Sequence, residues 1–393
     1  MNKKSVEAKL LQNKLERDID ELRSKEGYLN AGKPHYTTLF GRDSIISAWQ
    51  MLRLDPDIAR ATLLVLAKLQ GQEVRPMAEE EPGKILHQLE ATPSPRKGLP
   101  DWPMPYYGSV DSTPLFIFLA GEYLKATGEK GFVESLWHAL KDAERWMREY
   151  GDSDKDLFLE YDRHNPDAEL HQGWRDCEND CLNMTPPVAI VEAQGYQYAA
   201  LNALAAIAKT LGLVFPTDVT ARALALKQKF NEAFFWEEEQ FYALGLDKDK
   251  QQRRAVSSNP GHLLFTGILL DERAKVVVDR LMQPDMLTPY GIRTHSMNEP
   301  DFKVEAYQLG AVWPHDNWIF YQGLKKTGFT KEAQAIKERL IAVLEKLGYI
   351  PELYGVDGSG KLVELHTKSK DGLEMSNRLQ AWSSAALLDL VSE

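Results

Sequence analysis

Short stretches of this chain crowd aromatic rings, carboxylates and amides together: Phe40, Arg42 and Asp43; Tyr106, Tyr107 and Asp111; Gln172, Trp174 and Asp176; Glu192 and Gln194; Trp313, His315 and Asp316; Pro351 and Glu352; Gln380 and Trp382. Such a mixture reads hydroxyl-rich rings. Aromatic faces take the C–H side of a pyranose, while carboxylates and amides fix its hydroxyls. Any one of these residues alone reads as a core anchor or a helix N-cap. The same bias in successive stretches points instead to a shared site. Carboxylates carried on different loops can also face one another across a cleft, which allows acid and base roles to be divided between them.

The elements that would position these residues show in the apolar pattern. Helical spacing recurs from end to end, and strand-like alternation is sparse. Six segments turn small and apolar on most sides just after a cluster of Gly, Pro, aromatic and charged residues; they begin at Asp43, Asp111, Val188, Gly261, Trp313 and Gln380. Between them lie six amphipathic stretches, approximately 4–26, 56–70, 131–150, 217–235, 271–283 and 330–347, each with one wet face. Inner and outer helices alternating six and six predict an all-α fold, an (α/α)6 toroid or six-hairpin barrel. The outer-to-inner links are long, about 27–41, 71–110, 151–187, 236–260, 284–312 and 349–379. Long links of this kind usually bind or catalyse, and in such a toroid all emerge at the N-terminal ends of the inner helices. Residues Trp236 to Asp247 read as a small β-hairpin inserted in one loop, and residues 1–393 as one domain.

Composition narrows the class. The chain has 393 residues, 43% of them hydrophobic, two cysteines and a formal net charge of −11. No apolar run reaches the roughly 20 residues of a spanning helix, so no membrane partner is expected. The charged N-terminus lacks the apolar core of a secretory signal, and two cysteines fit a reducing cytoplasm. An acidic balance argues against nucleic acid, whose binding depends on Lys and Arg. Asp152, Asp154 and Asp156 imitate a calcium loop, but Leu157 stands where the turn glycine belongs and Arg163 where the closing Glu belongs. Cys177 and Cys181 have no second ligand pair at zinc spacing. No nucleotide-binding glycine motif or nucleophile elbow occurs. Neither a metal nor a cofactor is expected. The expected partner is a small carbohydrate bound by a monomer or homodimer.

The motifs GRDSIISAWQML, GKILHQLE, YYGSVDSTPLFIFLAGEYL, LHQGWRDC, PPVAIVEAQGYQYAA, NPGHLLFTGI, YGIRTHS, VWPHDN and PELYG occur here in one order. In this the chain resembles the amylo-α-1,6-glucosidase (glycogen-debranching-type) glycosidases from about residue 28 to the C-terminus. The resemblance implies an inverting, exo-acting α-glycosidase on an (α/α)6 scaffold, with Asp176 as general acid and Glu352 as general base. Inversion requires such a pair roughly 6.5–9.5 Å apart, so that a water fits between base and sugar. The resemblance further implies that Arg42 and Asp43 hold hydroxyls of the terminal sugar. It places Phe40, Tyr107, Asp111, Gln172, Trp174, Gln194, Trp313, His315, Asp316 and Trp382 around the same pocket.

The sequence departs from that pattern in places. Arg175 and Cys177 replace the family's Lys and Ser, and the stretch KSKDGLEMSNRLQAW is more polar than its counterpart. These changes favour a small α-glucoside or oligosaccharide over glycogen. Lys84, Arg175, Arg293, Lys368 and Lys370 lie in the long loops and would suit an anionic aglycone. Glu374 is a second candidate for the base. A glucosyl- or mannosylglycerate hydrolase is the alternative within the hydrolases. A sugar epimerase, which needs paired histidines, a phosphorylase and a non-catalytic glycan-binding protein are the alternatives outside them.

Overall fold

A computed structural model describes residues 3–92, 102–176, 182–215, 217–365 and 376–393. Its helices are α1 (Lys3–Leu22), α2 (Gly41–Met51), α3 (Pro56–Lys68), α4 (Ser112–Thr127), α5 (Lys130–Ser135), α6 (Trp137–Glu149), α7 (Val191–Leu211), α8 (Val219–Ala233), α9 (Leu263–Thr266), α10 (Asp271–Leu281), α11 (Pro314–Thr327), α12 (Thr330–Leu347) and α13 (Ala381–Val391). The two predicted kinds of helix are both present. In α4, STPLFIFLAGEYLKAT, every residue from Ser112 to Gly121 is buried, so the helix is covered on all sides. In α12 only Ala333, Ile336, Leu340, Val343 and Leu344 are buried, one stripe at helical spacing.

The buried helices pack in a closed sequence: α2 on α4, α4 on α7, α7 on α9, α9 on α11, α11 on α13, and α13 back on α2. Outer helices lean on them from outside, α3 on α2, α6 on α4, α8 on α7, α12 on α11, and α1 on α13. The first helix of the chain thus covers the last. Close approach depends on small residues. A Cβ on Gly121 of α4 would come within 2.8 Å of the Ala203 Cβ on α7.

Two expected helices differ in detail. The stretch from Gly261 yields a 3₁₀ turn, Asn259–His262, followed by only one turn of α-helix. It stops at Gly267, whose left-handed φ of 84° ends the helix where a side chain would be strained. The stretch 131–150 divides into α5 and α6 at Leu136.

The long links contain more paired backbone than the sequence suggested. The expected hairpin forms, with Phe235–Trp236 against Phe241–Tyr242. Beyond it, Gly245–Leu246 pairs with both Ala189–Ile190 and Gln252–Arg253. Leu287–Thr288 pairs with Gly291–Ile292, and Tyr354–Val356 with Leu362–Glu364. Gly32–Lys33 pairs with Leu379–Gln380, tying the first loop to the last. Strands of two or three residues are too short to show alternation in sequence. Among the described residues no helix is long and apolar enough to cross a membrane.

Candidate active site

The N-terminal ends of α2, α11 and α13 line an open cleft of about 690 Å³. Asp176 and Glu352 both line it, together with Phe40, Arg42, Asp43, Trp174, Trp313 and Trp382 from the expected set. Phe40, Trp313 and Gln380 are the N-cap residues of α2, α11 and α13, and none uses its side chain to cap. Their backbone places them at the helix mouth, and their side chains are left to the cleft.

Arg42 organises one wall. Its Nη1 donates to both carboxylate oxygens of Asp111, at 3.0 and 3.1 Å, and its Nη2 donates to Asp176 Oδ2 at 3.1 Å. Gln308 Nε2 donates to the backbone oxygen of Trp174 at 2.6 Å and reaches Asp176 Oδ1 at 3.4 Å. On the other wall Glu352 accepts from the Tyr307 hydroxyl at 2.6 Å and from the backbone N–H of Asn377 at 2.9 Å. A phenol and a backbone amide on different oxygens are the partners an ionised carboxylate takes.

Asp43 lies between these groups and accepts from Gln380 Nε2 at 3.3 Å. Burial pushes its carboxyl up to about 7; the Arg42 guanidinium opposes this, and the charges of Asp176, Glu352 and Asp111 add to it. The fully buried Glu192 is likewise raised to about 7, chiefly by burial. A carboxyl raised in the folded state holds its proton more tightly there than in the unfolded chain. The contribution of these two groups to stability is therefore full below about pH 4, falls as the pH climbs towards 7 and levels off above, each tenfold gain in proton affinity being worth about 1.4 kcal/mol. Thermal melts at pH 5 and pH 8 should show wild-type protein losing stability at the higher pH, and Asp43→Asn losing less. Equal losses in the two proteins would refute this assignment.

Several expected site residues lie elsewhere. Gln194 braces the interior, bonding the backbone N–H and oxygen of Leu159 and the Ile190 oxygen. The Tyr107 hydroxyl donates to the Leu69 oxygen. Gln172 approaches Glu79 and lines a separate cavity. Asp111 lies beneath the cleft as the anchor of Arg42, and Asp316 is bonded to His262. Periodic proximity to a helix start did not tell which side chains turn up into the cleft and which turn down into the ring.

His315 is the instructive case. It does not line the cleft but lies under it, stacked on Trp382 with ring centroids 3.8 Å apart and planes 10° apart. It meets Trp174 and Trp313 edge-on. It is fully buried, burial pushes its pKa well below the ordinary value, and neither ring nitrogen meets a hydrogen-bond partner among the described residues. Replacing an unsatisfied polar ring by an apolar one of similar shape is close to neutral or stabilising. His315→Phe should therefore keep or raise Tm and leave kcat within a few-fold, as melts and initial rates would show. A hundredfold loss of rate with normal folding would restore it as a substrate ligand.

The cleft also holds residues that sequence reasoning missed: Tyr36, His87, Gln88, Thr92, Trp102, Glu169 and Tyr307. His87 and Gln88 belong to the GKILHQLE motif, so a signal for them was present. The loop cations Lys84, Arg175 and Arg293 do not line the cleft. Lys84 bonds the Glu79 oxygen, Arg175 the Thr294 oxygen and Arg293 the Val356 oxygen. Lys368, Lys370, Glu374, Cys177 and Cys181 lie outside the described residues. The calcium-like run has a cation of its own: Lys250 Nζ sits 2.8 Å from Asp154 and 3.0 Å from Asp156, and also bonds Glu160.

Two carboxylates in a cleft walled by tryptophans, at one end of a ring of helices, are an arrangement suited to glycoside hydrolysis, and the chain matches a glycoside hydrolase domain. More particularly, residues 36–361 match the mannosylglycerate hydrolase MGH1-like glycoside hydrolase domain, and the chain belongs to that family. The expected kinship holds at the level of six-hairpin glycosidases, and the match gives no support to the glycogen-debranching family in particular. A mannosylglycerate hydrolase of Rubrobacter radiotolerans is 25% identical over 195 residues, 48% of this chain and 40% of that protein. Mannosylglycerate hydrolase MGH1 of Selaginella moellendorffii is 35% identical over 91 residues, 23% of this chain and 18% of that protein. These alignments thus span two fifths or less of the curated relatives.

Among solved structures, the GH63 mannosylglycerate hydrolase of Thermus thermophilus, in complex with Tris and D-glycerate, has a TM-score of 0.74 at 17% identity. That likeness covers 97% of this chain and 99% of the other. A rhamnosidase of Klebsiella oxytoca with rhamnose bound reaches 0.64 at 13% identity, over 97% of this chain and 63% of the other. At these identities the likeness is one of fold.

Proposed function

We propose that this chain is an inverting, exo-acting hydrolase of glucosyl- or mannosylglycerate, built as one (α/α)6 six-hairpin barrel over residues 1–393. The observation that carries the reading is that Asp176 and Glu352 line one cleft from separate loops while each is held by different donors. Asp176 is the acid that protonates the leaving glycosidic oxygen. Glu352 is the base that takes a proton from the attacking water. Phe40, Trp174, Trp313 and Trp382 supply apolar faces for the terminal sugar, and Arg42 and Asp43 read its hydroxyls. The family match favours a glycerate glycoside over the maltose- or isomaltose-like substrates that the motifs alone suggested.

An epimerase reading has less support. It needs two histidines at the reacting carbon, and among the described residues that line the cleft His87 is the sole histidine. His262 and His315 are buried beneath.

Proton NMR of the products tests the reading. The panel is mannosylglycerate, glucosylglycerate, isomaltose, maltose and trehalose, with and without phosphate. The β-anomer of the free sugar appearing first from an α-glycerate glycoside is the expected result. The α-anomer first would mean retention and would overturn the two roles. Turnover only with phosphate would make the protein a phosphorylase.

A further inference from the structure

We infer that a buried relay, Tyr196–His262–Asp316, positions the loop that carries Asp176 by fixing the ring on which Trp174 rests. The inference rests on the reading of Asp176 as the acid. The three relay residues come from three different elements: Tyr196 from α7, His262 from the 3₁₀ turn before α9, and Asp316 from the first turn of α11. All three are buried, and none lines the cleft. Any effect on the reaction must pass through a neighbour.

The geometry shows which neighbour. His262 Nε2 lies 2.7 Å from Asp316 Oδ1, and His262 Nδ1 lies 2.6 Å from the Tyr196 hydroxyl. With Asp316 as a carboxylate, Nε2–H donates to it, and the Nδ1 lone pair accepts the Tyr196 O–H. A ring bonded at both nitrogens cannot turn about its side-chain axis without breaking a buried hydrogen bond. Its plane is thereby set.

Trp174 lies against that plane, 5.8 Å between centroids and 22° between rings. Trp313 closes on it edge-on at 74°, and His315 at 86°. The Trp174 oxygen takes Gln308, the next side chain is anchored on the Thr294 oxygen, and the one after is Asp176. The backbone of residues 174–176 therefore inherits its position from a stacked ring and a few donors. A rotation of His262 would be passed to the Asp176 carboxyl, whose alignment with the leaving oxygen sets the rate.

A purely structural brace would move Tm and leave the rate constants alone. Tyr196→Phe keeps the ring and removes one O–H; His262→Phe keeps a stacking face and removes both hydrogen bonds. We expect Tyr196→Phe to lower kcat roughly tenfold to a hundredfold with KM within about twofold. His262→Phe should lower kcat further, again with KM little changed, and both should alter the near-ultraviolet circular dichroism of the tryptophans. Wild-type kcat in Tyr196→Phe overturns the relay, whatever happens to Tm. If that variant does not fold, His262→Phe decides on the same criterion, and loss of soluble protein in both assigns the three residues to the core and overturns it too. The wild-type control separates the two claims. Absence of turnover by wild-type protein defeats the functional reading and the relay with it, whereas normal turnover by the folded variants defeats the relay alone.

Discussion

Asp176→Asn should lower kcat/KM on the hydrolysed glycoside by roughly 10²–10⁴-fold, the range a general acid contributes, and leave the fold intact. The Asp176 side chain is 21% exposed and held by Arg42 and Gln308. An asparagine of the same shape can still meet the Arg42 donor through its amide oxygen, so little packing changes. What disappears is the proton for the leaving oxygen. Substrate binding should survive, because the aromatic walls and Asp43 are untouched, and a loss confined to kcat is the signature of an interaction made only in the transition state. Initial rates on the preferred glycoside, with circular dichroism melts as the control for folding, check this. A loss smaller than tenfold in a folded variant would move the acid role to another carboxyl of the cleft, with Glu169 the first to test.

The helices were legible because burial leaves a mark on every turn. Stripes such as Ala333, Ile336, Leu340, Val343 and Leu344 follow from the 3.6-residue period, and the all-round apolar run of α4 follows from being enclosed. The site was legible only where a side chain and its backbone position both point upward. Asp43 and Trp382 reach the cleft from the first turns of α2 and α13, yet Asp316, at an equivalent place on α11, turns into the ring and meets His262. A motif lists residue types in order, and the rotation of each helix about its axis is settled by packing among distant segments. Tyr36 and Tyr307 were missed for the same reason. They come from aperiodic loops, and Tyr307 acquires meaning only when folding brings its hydroxyl to Glu352, 45 residues away. The family assignment shows the corresponding limit in function. The ordered motifs pointed to a six-hairpin glycosidase, whereas the match over residues 36–361 is to the mannosylglycerate hydrolase MGH1-like domain, a distinction that the motifs did not carry.

Arg42→Met should be the most destabilising single change at the site, costing about 3–5 kcal/mol, because it leaves a buried carboxylate without its cation. Asp111 is wholly buried, and its charge faces two N–H···O bonds from Arg42 and one O–H···O bond from Ser109 at 2.7 Å. Burial works against the Arg42 charge, but Asp111, Asp176 and Asp43 together hold its guanidinium above the usual range. A lysine would not substitute, since one ammonium cannot span Asp111 and Asp176 with a planar fork. Removing both partners is a different matter. In Arg42→Met with Asp111→Asn the wholly buried carboxylate at 111 is no longer left without its cation, and much of the lost stability should return. Urea unfolding of the two proteins gives the comparison: a loss of less than about 1 kcal/mol in the single variant, or no recovery in the double, would refute the ion-pair account. Activity should not follow stability. Asp176 has lost its guanidinium in both variants, and Asp43 has lost the one charge that opposes the rise of its pKa. A double variant as stable as wild type but still slow would show that Arg42 serves the two carboxyls of the cleft as well as the fold.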